Sequence, residues 1–353
     1  MMVPTVDVVI PVHSTQRPVS QAVRSVLAET QSEVRVVVVC HNIGADAIAA
    51  VLGSWQHDSR VTLIEHQDGV PSPAGPINAG LDFASAEFTA LLGSDDRYER
   101  GAIDAWLRFA RRTSADVVIP RLVDERGRSR RTPPVRPFKT QRLDGVRDRL
   151  AYRTVQLGLM RRRRFPHVRM TEGLRTGEDV IQGASLWFSG ARIAYARNSP
   201  AYVIGGESVD RTSVVPKPVE ESLAFLDAVL NEAFIKTLTP AQREAFAAKL
   251  LRTHIVDITI TAIARDDRDW VVAVGAAVRR ILEVAPTATK SLSRAEHAIV
   301  DGLSHGVDLA ILKTVLTTRS QFWRPSALMT TRLNDLLRRD APLRLLAATA
   351  LTG

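Results

Sequence analysis

The first 120 residues alternate between continuous apolar runs and stretches with helical periodicity. The runs at residues 6–10 and 34–39 are rich in β-branched side chains and predict strands buried on both faces of a sheet. Between them, apolar positions from Val19 to Leu27 recur at helical spacing, which predicts an amphipathic helix. Further strands are predicted at residues 61–64, 88–92 and 116–119, with helices at 45–52, 74–84 and 102–109. This order predicts an α/β fold with a parallel sheet, in which ligands bind where the strands end.

The character of the sequence changes after Lys217-Pro218. Before it, residues 121–164 are rich in proline and arginine and predict a long functional loop followed by a helix at residues 146–160. Beyond it the signals are helical, such as a Thr239 N-cap before Pro240. We therefore predict an α/β domain at residues 1–216 and an all-helical domain at residues 217–353.

The net charge of +9 is concentrated in one segment. Residues 121–175 contain 17 Lys and Arg but 5 Asp and Glu, a net charge of +12, while the other residues sum to −3. Such a cluster indicates an anionic partner, although a solvated arginine-rich loop gives the same pattern. A nucleic-acid partner is not expected, because few aromatic residues in the segment are available to stack on bases.

The single cysteine, Cys40, excludes an intrachain disulfide and a cysteine-based zinc site. No secretory signal is visible at the N-terminus, and the longest apolar stretches, residues 255–264 and 271–278, fall short of a membrane span. We therefore expect a cytoplasmic protein, with peripheral attachment to the inner face of the membrane as a further option.

Ser94-Asp95-Asp96 directly follows the fourth predicted strand. Adjacent carboxylates repel each other, and a hard divalent cation, Mn²⁺ or Mg²⁺, would offset that repulsion and stabilise a diphosphate leaving group. The competing interpretation is a helix N-cap formed by Ser94 or Asp95. The turn alone leaves both interpretations open.

A second acidic pair, Glu178-Asp179, follows Gly177 and opens an apolar helix. Acids at a helix start commonly act as caps, but a carboxylate here would also suit a general base that takes a proton from an acceptor hydroxyl. The proline-rich loop between Asp68 and Asn78 is either an ordinary turn-rich loop or a set of polar groups that holds a nucleotide.

Five segments carry a family resemblance through their order and spacing. They are residues 8–13 (VVIPVH), 37–42 (VVVCHN), 76–81 (PINAGL), 90–96 (ALLGSDD) and 177–179 (GED). Together they resemble family 2 of the inverting glycosyltransferases over residues 3–215. The resemblance implies a GT-A type nucleotide-diphospho-sugar transferase domain with a mostly parallel sheet, and the all-helical domain lies outside it.

The resemblance also implies roles for individual residues. The positions implied to hold the nucleotide are Pro11, His13, Asn42, Asp68, Asn78 and Ser94. Asp95 matches the second acid of the family's Asp-x-Asp motif, the direct metal ligand, and Asp96 would share the metal with it. Asp179 matches the general base, with Glu178 beside it.

Two departures from the family pattern matter. The acid that commonly follows the second strand is replaced by Cys40-His41-Asn42, so a base other than uracil is an open alternative. The first acid of Asp-x-Asp is replaced by Gly93, which leaves Asp95 and Asp96 to hold the metal.

These features predict an inverting glycosyltransferase that uses a nucleotide-diphosphate donor, expected to be a UDP-sugar, in a metal-assisted single displacement. In the family the stretch between metal motif and base shapes the acceptor side, so the +12 segment predicts an anionic acceptor. Candidates are a cell-envelope glycan, a polyol-phosphate polymer such as teichoic acid, or a lipid-phosphate carrier, and the helical domain is a candidate for homo-oligomer contacts. The alternative is a non-catalytic or degenerate transferase-like protein that binds an anionic polymer.

Overall fold

The computed structural model describes residues 4–130, 135–153, 155–206, 217–306, 308–321 and 323–352. An α/β region is followed by a helical region, in the order that the sequence predicts. The predicted domain boundary after residue 216 adjoins residues 207–216, which lie outside the described residues, so this boundary stays a prediction.

The described residues contain ten strands in two sheets. They are β1 (Val6–Val12), β2 (Val34–His41), β3 (Val61–His66), β4 (Phe88–Leu91), β5 (Arg97–Tyr98), β6 (Val117–Pro120), β7 (Leu122–Asp124), β8 (Leu159–Arg161), β9 (Ile193–Ala196) and β10 (Tyr202–Ile204). The main sheet has the order β3-β2-β1-β4-β8-β6-β9, and every strand in it runs parallel except β8. Strands β5, β10 and β7 form a small second sheet.

The α/β region carries α1 (Val19–Leu27), α2 (Ala45–Leu52), α3 (Ala74–Phe83), α4 (Ala102–Thr113) and α5 (Val180–Trp187). The helical region carries α6 (Val219–Leu223), α7 (Phe225–Val229), α8 (Glu232–Thr237), α9 (Pro240–Leu250), α10 (Val256–Ala264), α11 (Arg268–Val284), α12 (Arg294–His305), α13 (Leu309–Ser320), α14 (Pro325–Leu328) and α15 (Pro342–Thr352). A π-helical turn at Leu251–Ile255 joins α9 to α10. Within the described ranges, no helix is both long enough and apolar enough to cross a membrane.

Alternate residues of the central strand β1 point into two different cores. Val8 and Ile10 belong to a core shared with α1, α2 and α4, whereas Val9 belongs to a core on the other face shared with α3. This two-sided burial explains the continuous apolar runs in the sequence. Gly80 lets α3 lie directly against the sheet, because a Cβ at this position would collide with Cγ1 of Val9.

The helix predicted at residues 146–160 is wrong. This stretch contains a 3₁₀ turn at Leu150–Tyr152 and strand β8, which pairs antiparallel with both β4 and β6. Gly158 allows β8 to enter the middle of the sheet, because a Cβ on it would collide with the carbonyl oxygen of Val118. Tertiary pairing therefore overrides the local helical pattern.

Helix α5 connects the two regions of the molecule. Its residues Val180 and Ala184 pack into the core of the helical region, together with α7 and α9. Its residues Leu186 and Trp187 pack into the core under the main sheet. The second core therefore begins before residue 217, and the residues just before α5 lie between the two cores.

A buried ion pair also joins the regions. Arg252, in the π-helical turn, donates to the Glu296 carboxylate at 3.0 Å, to the Tyr152 hydroxyl at 2.7 Å and to the carbonyl oxygen of Ser291 at 2.7 Å. Burial alone would raise the pKa of Glu296, but the Arg252 guanidinium lowers it below its ordinary value. The network satisfies a charge that would otherwise be costly to bury.

Replacing Arg252 by methionine is expected to destabilise the fold by about 3–5 kcal/mol, because the buried Glu296 carboxylate keeps only the more distant Arg319, at 3.7 Å, as counter-charge. The double variant R252M/E296M removes both charges and is expected to recover much of that loss. Urea unfolding of the wild type, the two single variants and the double variant measures the coupling. Equal destabilisation in R252M and R252M/E296M would contradict this account.

Candidate functional site

A cavity of about 370 Å³, here called the sheet-edge cavity, lies where β1, β2 and β4 end. Its wall contains five residues predicted from the sequence to hold a nucleotide or metal, namely Pro11, His13, Asn42, Ser94 and Asp95. Parallel strands bring these side chains together because their carboxyl ends share one edge of the sheet. Proline residues of the loop before α3, Pro71, Pro73 and Pro76, form the opposite part of the wall.

Asp68 lies behind this wall and fixes its polar groups. Its Oδ1 accepts hydrogen bonds from His41 at 2.8 Å and Asn42 at 3.3 Å, while Oδ1 of Asn42 accepts from the Gly69 amide at 2.9 Å. Asn42 has a φ of 55°, a left-handed conformation that asparagine tolerates better than most residues. Partial burial would raise the pKa of Asp68, but the hydrogen bonds from His41, the Val70 amide and Asn42 hold it well below its usual range.

Arg17 is a residue of the cavity wall that the sequence reasoning missed. It is buried to 7% exposure, and its Nη1 forms an ion pair with Oδ2 of Asp95 at 2.6 Å. A signal was present in the sequence, because an arginine just before a helix start opposes the helix dipole and needs another reason to be there. The pair means that Asp95 faces the cavity already partnered by a cation.

Asp96 has a different environment from Asp95. One carboxylate oxygen accepts a hydrogen bond from the Tyr202 hydroxyl, and the other accepts one from the Gly205 amide at 2.7 Å. The Tyr202 hydroxyl in turn accepts from the Gly93 amide at 3.0 Å. Asp96 thereby ties the turn after β4 to strand β10, an environment that does not favour the metal role predicted for it, and the metal role of Asp95 stays a prediction.

The same contacts explain why position 93 departs from the family pattern. A Cβ at Gly93 would collide with Oδ2 of Asp96, and a Cβ at Gly205 would collide with the backbone carbonyl of Asp95. The Asp96 side chain therefore occupies the space that an acid at position 93 would need. A side chain at position 93 would therefore have to displace the Asp96 carboxylate from its hydrogen bonds.

Restoring the acid with Gly93→Asp is thus expected to lower both stability and nucleotide affinity, because the new side chain must displace Asp96 from Tyr202. We expect a loss of about 1–3 kcal/mol in unfolding free energy. Thermal unfolding and calorimetric titration with a nucleoside diphosphate and Mn²⁺ measure the two effects. Tighter metal-dependent binding in G93D with unchanged stability would show that the space is available after all.

Asn78 is buried outside the sheet-edge cavity. Its Nδ2 donates to the carbonyl oxygen of Met170 at 3.0 Å and to Glu172 at 2.8 Å, and its Oδ1 accepts from the Met170 amide at 2.9 Å. The nucleotide contact predicted for Asn78 is therefore not supported by this geometry. Instead, Asn78 fixes the segment that leads to Gly177.

Glu178 and Asp179 lie just before α5, with Asp179 at the helix N-cap position. Its side chain forms no capping hydrogen bond, so the helix-cap interpretation of this acidic pair is not supported. Burial raises the pKa of Glu178 to about 7, and the neighbouring Asp179 charge adds to the shift. The structure thus holds an acidic pair with distinct environments at the junction of the two cores.

The raised pKa of Glu178 predicts that the stability of the fold depends on pH. Between pH 4.5 and 7 the folded state binds more protons at this group than the unfolded chain, so stability falls as pH rises through that window. Glu178→Gln should therefore be more stable than the wild type above pH 7, with the difference vanishing below pH 4.5. Denaturant unfolding at several pH values measures this, and a difference independent of pH would contradict it.

A second cavity, about 570 Å³ and here called the helix-side cavity, lies next to this acidic pair. Gly177 and Thr176 form one side of it, and the helical region supplies most of the rest, including His254, Asp257 and Arg265. Arg265 stacks on the ring of Trp270 at 4.4 Å. The cations Lys217 and Arg265 thus line a cavity whose wall contains Gly177, two residues before the predicted base.

Many arginines of the basic segment form ion pairs that fix the fold. Four of these arginines pair with acids outside the segment: Arg121 with Glu99, Arg161 with Glu87, Arg169 with Asp82 and Arg175 with Glu221. Within it, Arg128 pairs with Asp124 and Arg136 with Asp148. Because Asp124 and Asp148 are already counted in the +12, the four outside acids offset only part of that charge, and the remaining exposed arginines can meet an anionic partner.

Comparison with known protein families gives a match for most of the α/β region. Residues 7–169 match the family described as Glycosyl transferase family 2. Residues 7–169 are thus similar to a family 2 glycosyltransferase domain. The match covers β1 to β8 and the sheet-edge cavity, whereas Glu178, Asp179 and the helical region lie beyond it.

The names of two curated relatives place those proteins in glycan synthesis. The chain is 27% identical over 124 residues to a GalNAc(5)-diNAcBac-PP-undecaprenol beta-1,3-glucosyltransferase of Campylobacter jejuni, covering 35% of this chain and 40% of the relative. It is 30% identical over 210 residues to the succinoglycan biosynthesis protein ExoO of Rhizobium meliloti, covering 54% and 58%. The matches thus span about two fifths to three fifths of these relatives' length.

Solved structures extend the likeness to the helical region. Residues 1–349 of S. aureus TarS in complex with UDP-GlcNAc align with a TM-score of 0.75 at 16% identity, over 91% of this chain and 93% of that one. The UDP complex of the same protein aligns with a TM-score of 0.71. At this identity the likeness concerns the fold, and it confirms the predicted GT-A type domain followed by helices.

Proposed function

We propose that the chain is an inverting glycosyltransferase that moves a sugar from a nucleoside-diphosphate donor to a hydroxyl of an anionic cell-envelope acceptor. The observation that carries the proposal is the sheet-edge cavity, which gathers His13, Arg17, Ser94 and Asp95 at the ends of parallel strands. This is the edge at which α/β folds bind nucleotides. The family 2 match over the residues of the cavity supports the reaction class.

A UDP-sugar is the donor that we favour. Asp68 holds Asn42 and His41 at the cavity wall, and its carboxylate would have to exchange one of these hydrogen bonds to take the place of the acid that is missing after the second strand. A carboxylate there is suited to accept the imide N–H of uracil. The TarS fold match in complex with UDP-GlcNAc supports the same donor class.

A divalent metal fits this cavity in only one way. Among the described residues, no three His, Cys, Asp or Glu side chains come together as a metal-binding group. Asp95 would therefore be a single protein ligand in a shell completed by the donor phosphates, and Arg17 would have to give up part of its ion pair with Asp95. When bound, Mn²⁺ or Mg²⁺ would neutralise negative charge on the departing diphosphate.

The reaction that we propose is a single displacement with Asp179 as base. The acceptor hydroxyl gives its proton to the Asp179 carboxylate while its oxygen forms a bond to the anomeric carbon. The bond from that carbon to the phosphate oxygen breaks, and its electron pair leaves with the nucleoside diphosphate. Arg17, freed from Asp95 or shared with it, is placed to stabilise that leaving group.

The acceptor side is assigned to the helix-side cavity, because it adjoins Gly177 and carries the cations Lys217 and Arg265. Cationic groups there favour a phosphate-containing or acidic acceptor, such as a polyol-phosphate polymer or a lipid-phosphate carrier. The diphospho-lipid glycan in the name of the Campylobacter relative supports this class. A cytoplasmic or inner-membrane location and homo-oligomer contacts stay predictions.

One observation favours the alternative of a non-catalytic polymer-binding protein. The Arg17–Asp95 ion pair occupies the carboxylate that a metal would need. If that pair never opens, nucleotide would bind without metal and no sugar would be transferred. The test of the proposed function must therefore separate binding from turnover.

Asp179→Asn is expected to lower turnover by about 10²–10⁴-fold and to leave donor affinity nearly unchanged, since it removes only the proton acceptor. The assay measures release of nucleoside diphosphate from several nucleotide sugars, with Mn²⁺ and with a polyol-phosphate or lipid-linked acceptor. Asp95→Asn is the matched variant, and it is expected to weaken Mn²⁺-dependent donor binding in calorimetry. Near-normal turnover in D179N would refute the base assignment, and absence of turnover in the wild type with every donor would favour the alternative.

A further inference from the structure

Lys249 on α9 is a buried cation that the proposed reaction has not yet used. Its side chain is 2% exposed, and its ammonium donates to Nε2 of His254 at 2.5 Å. Burial lowers the pKa of Lys249 to about 8, while the Asp179 carboxylate opposes this shift by favouring the ammonium. Burial and the Lys249 charge together lower the pKa of His254 to about 3, so its imidazole is neutral and accepts the bond.

His254 is itself held from two sides. Its ring packs on Phe225 with a centroid distance of 4.9 Å, and Phe225 packs so closely on Gly177 that a Cβ there would lie 2.7 Å from its ring. His254 also belongs to the π-helical turn that Arg252 anchors through Glu296. π-Helical turns inside helices are frequent at functional sites.

The charges around Lys249 come from several elements. Asp179, just before α5, is the charge that acts on Lys249, and the neutral His254, which follows α9, accepts its hydrogen bond. Glu178 and Lys217 act on this cluster through Asp179 and each other. Lys217 also acts on Glu178, whose pKa its charge lowers in part. Lys249 is thus the ammonium on α9 that shares this junction with the Asp179 carboxylate.

We propose that Lys249, held by His254, is a positioning residue that brings a cation from the helical region to the Asp179 base. This inference rests on the proposed role of Asp179. A methionine would fill the same space without the cost of burying an ammonium, so the charge itself has a use. That use is to keep Asp179 ionised beside the helix-side cavity, whose wall contains Gly177.

The test is the pH dependence of kcat in Lys249→Met and Lys249→Arg. Loss of the nearby cation makes Asp179 harder to ionise, so the acidic limb of the K249M profile should move to higher pH by about one unit or more. We expect kcat at neutral pH to fall about tenfold while the donor KM stays within about twofold. The K249R variant keeps the charge and should keep the limb near its wild-type position.

If Lys249 only stabilised the fold, its replacement would lower stability and leave the acidic limb of the pH profile in place. An unmoved acidic limb in folded K249M would therefore overturn the proposal. If K249M does not fold, Lys249→Gln decides, because it removes the charge but can still donate a hydrogen bond to His254. An unmoved acidic limb in K249Q would then overturn the proposal, and a shift to higher pH would support it. Lys313→Met, at an exposed position of α13, is the matched control and should leave the pH profile of kcat unchanged.

Failure of this inference differs from failure of the proposed function. If D179N retains turnover, the base is wrong and the Lys249 proposal falls with it. If D179N is inactive and K249M keeps the wild-type limb, only the positioning role is lost.

Discussion

The hydrogen bond between the Tyr202 hydroxyl and Asp96 is the contact on which the candidate site depends. It joins the turn after β4 to β10, although the two residues are 106 positions apart, and it brings the small sheet over the carboxyl edge of the main sheet. Burial and the Asp96 charge raise the pKa of Tyr202 well above its ordinary value, so the hydroxyl remains a proton donor at any physiological pH. Because Asp96 is held by Tyr202 and Gly205, Asp95 is the acid of this turn that lines the cavity.

A parallel sheet gathers acids at one edge, and each acid there has a specific partner. Asp95 is paired with Arg17, from the loop before α1, and Asp68 with His41, the last residue of β2. Such pairing keeps the edge stable without a ligand, but it also sets a condition for binding. A donor diphosphate must compete with Asp95 for Arg17, and a metal must compete with Arg17 for Asp95, so the two arrive most easily together.

The sequence was sufficient for the parts of the molecule that local patterns determine. The strands β1 to β4 and the position of Asp95 at the edge follow from apolar runs and their order, because both faces of a parallel sheet are buried. Strand β8 was missed because its pairing is antiparallel and distant in sequence, and the partners of Asn78 and Asp96 were missed for the same reason. Arg17 was overlooked although its place before a helix start was unusual.

The proposed base, Asp179, lies between two hydrophobic cores, where local sequence patterns say least about the structure. Helix α5 is packed into both cores, so the position of Asp179 depends on how the helical region sits against the sheet. The network of Arg252, Glu296 and Tyr152 fixes that relation through a buried ion pair, which tolerates little displacement. A helical region that only added bulk would not need buried charges at this junction. Its packing against α5 instead makes the geometry of the base a property of both regions together.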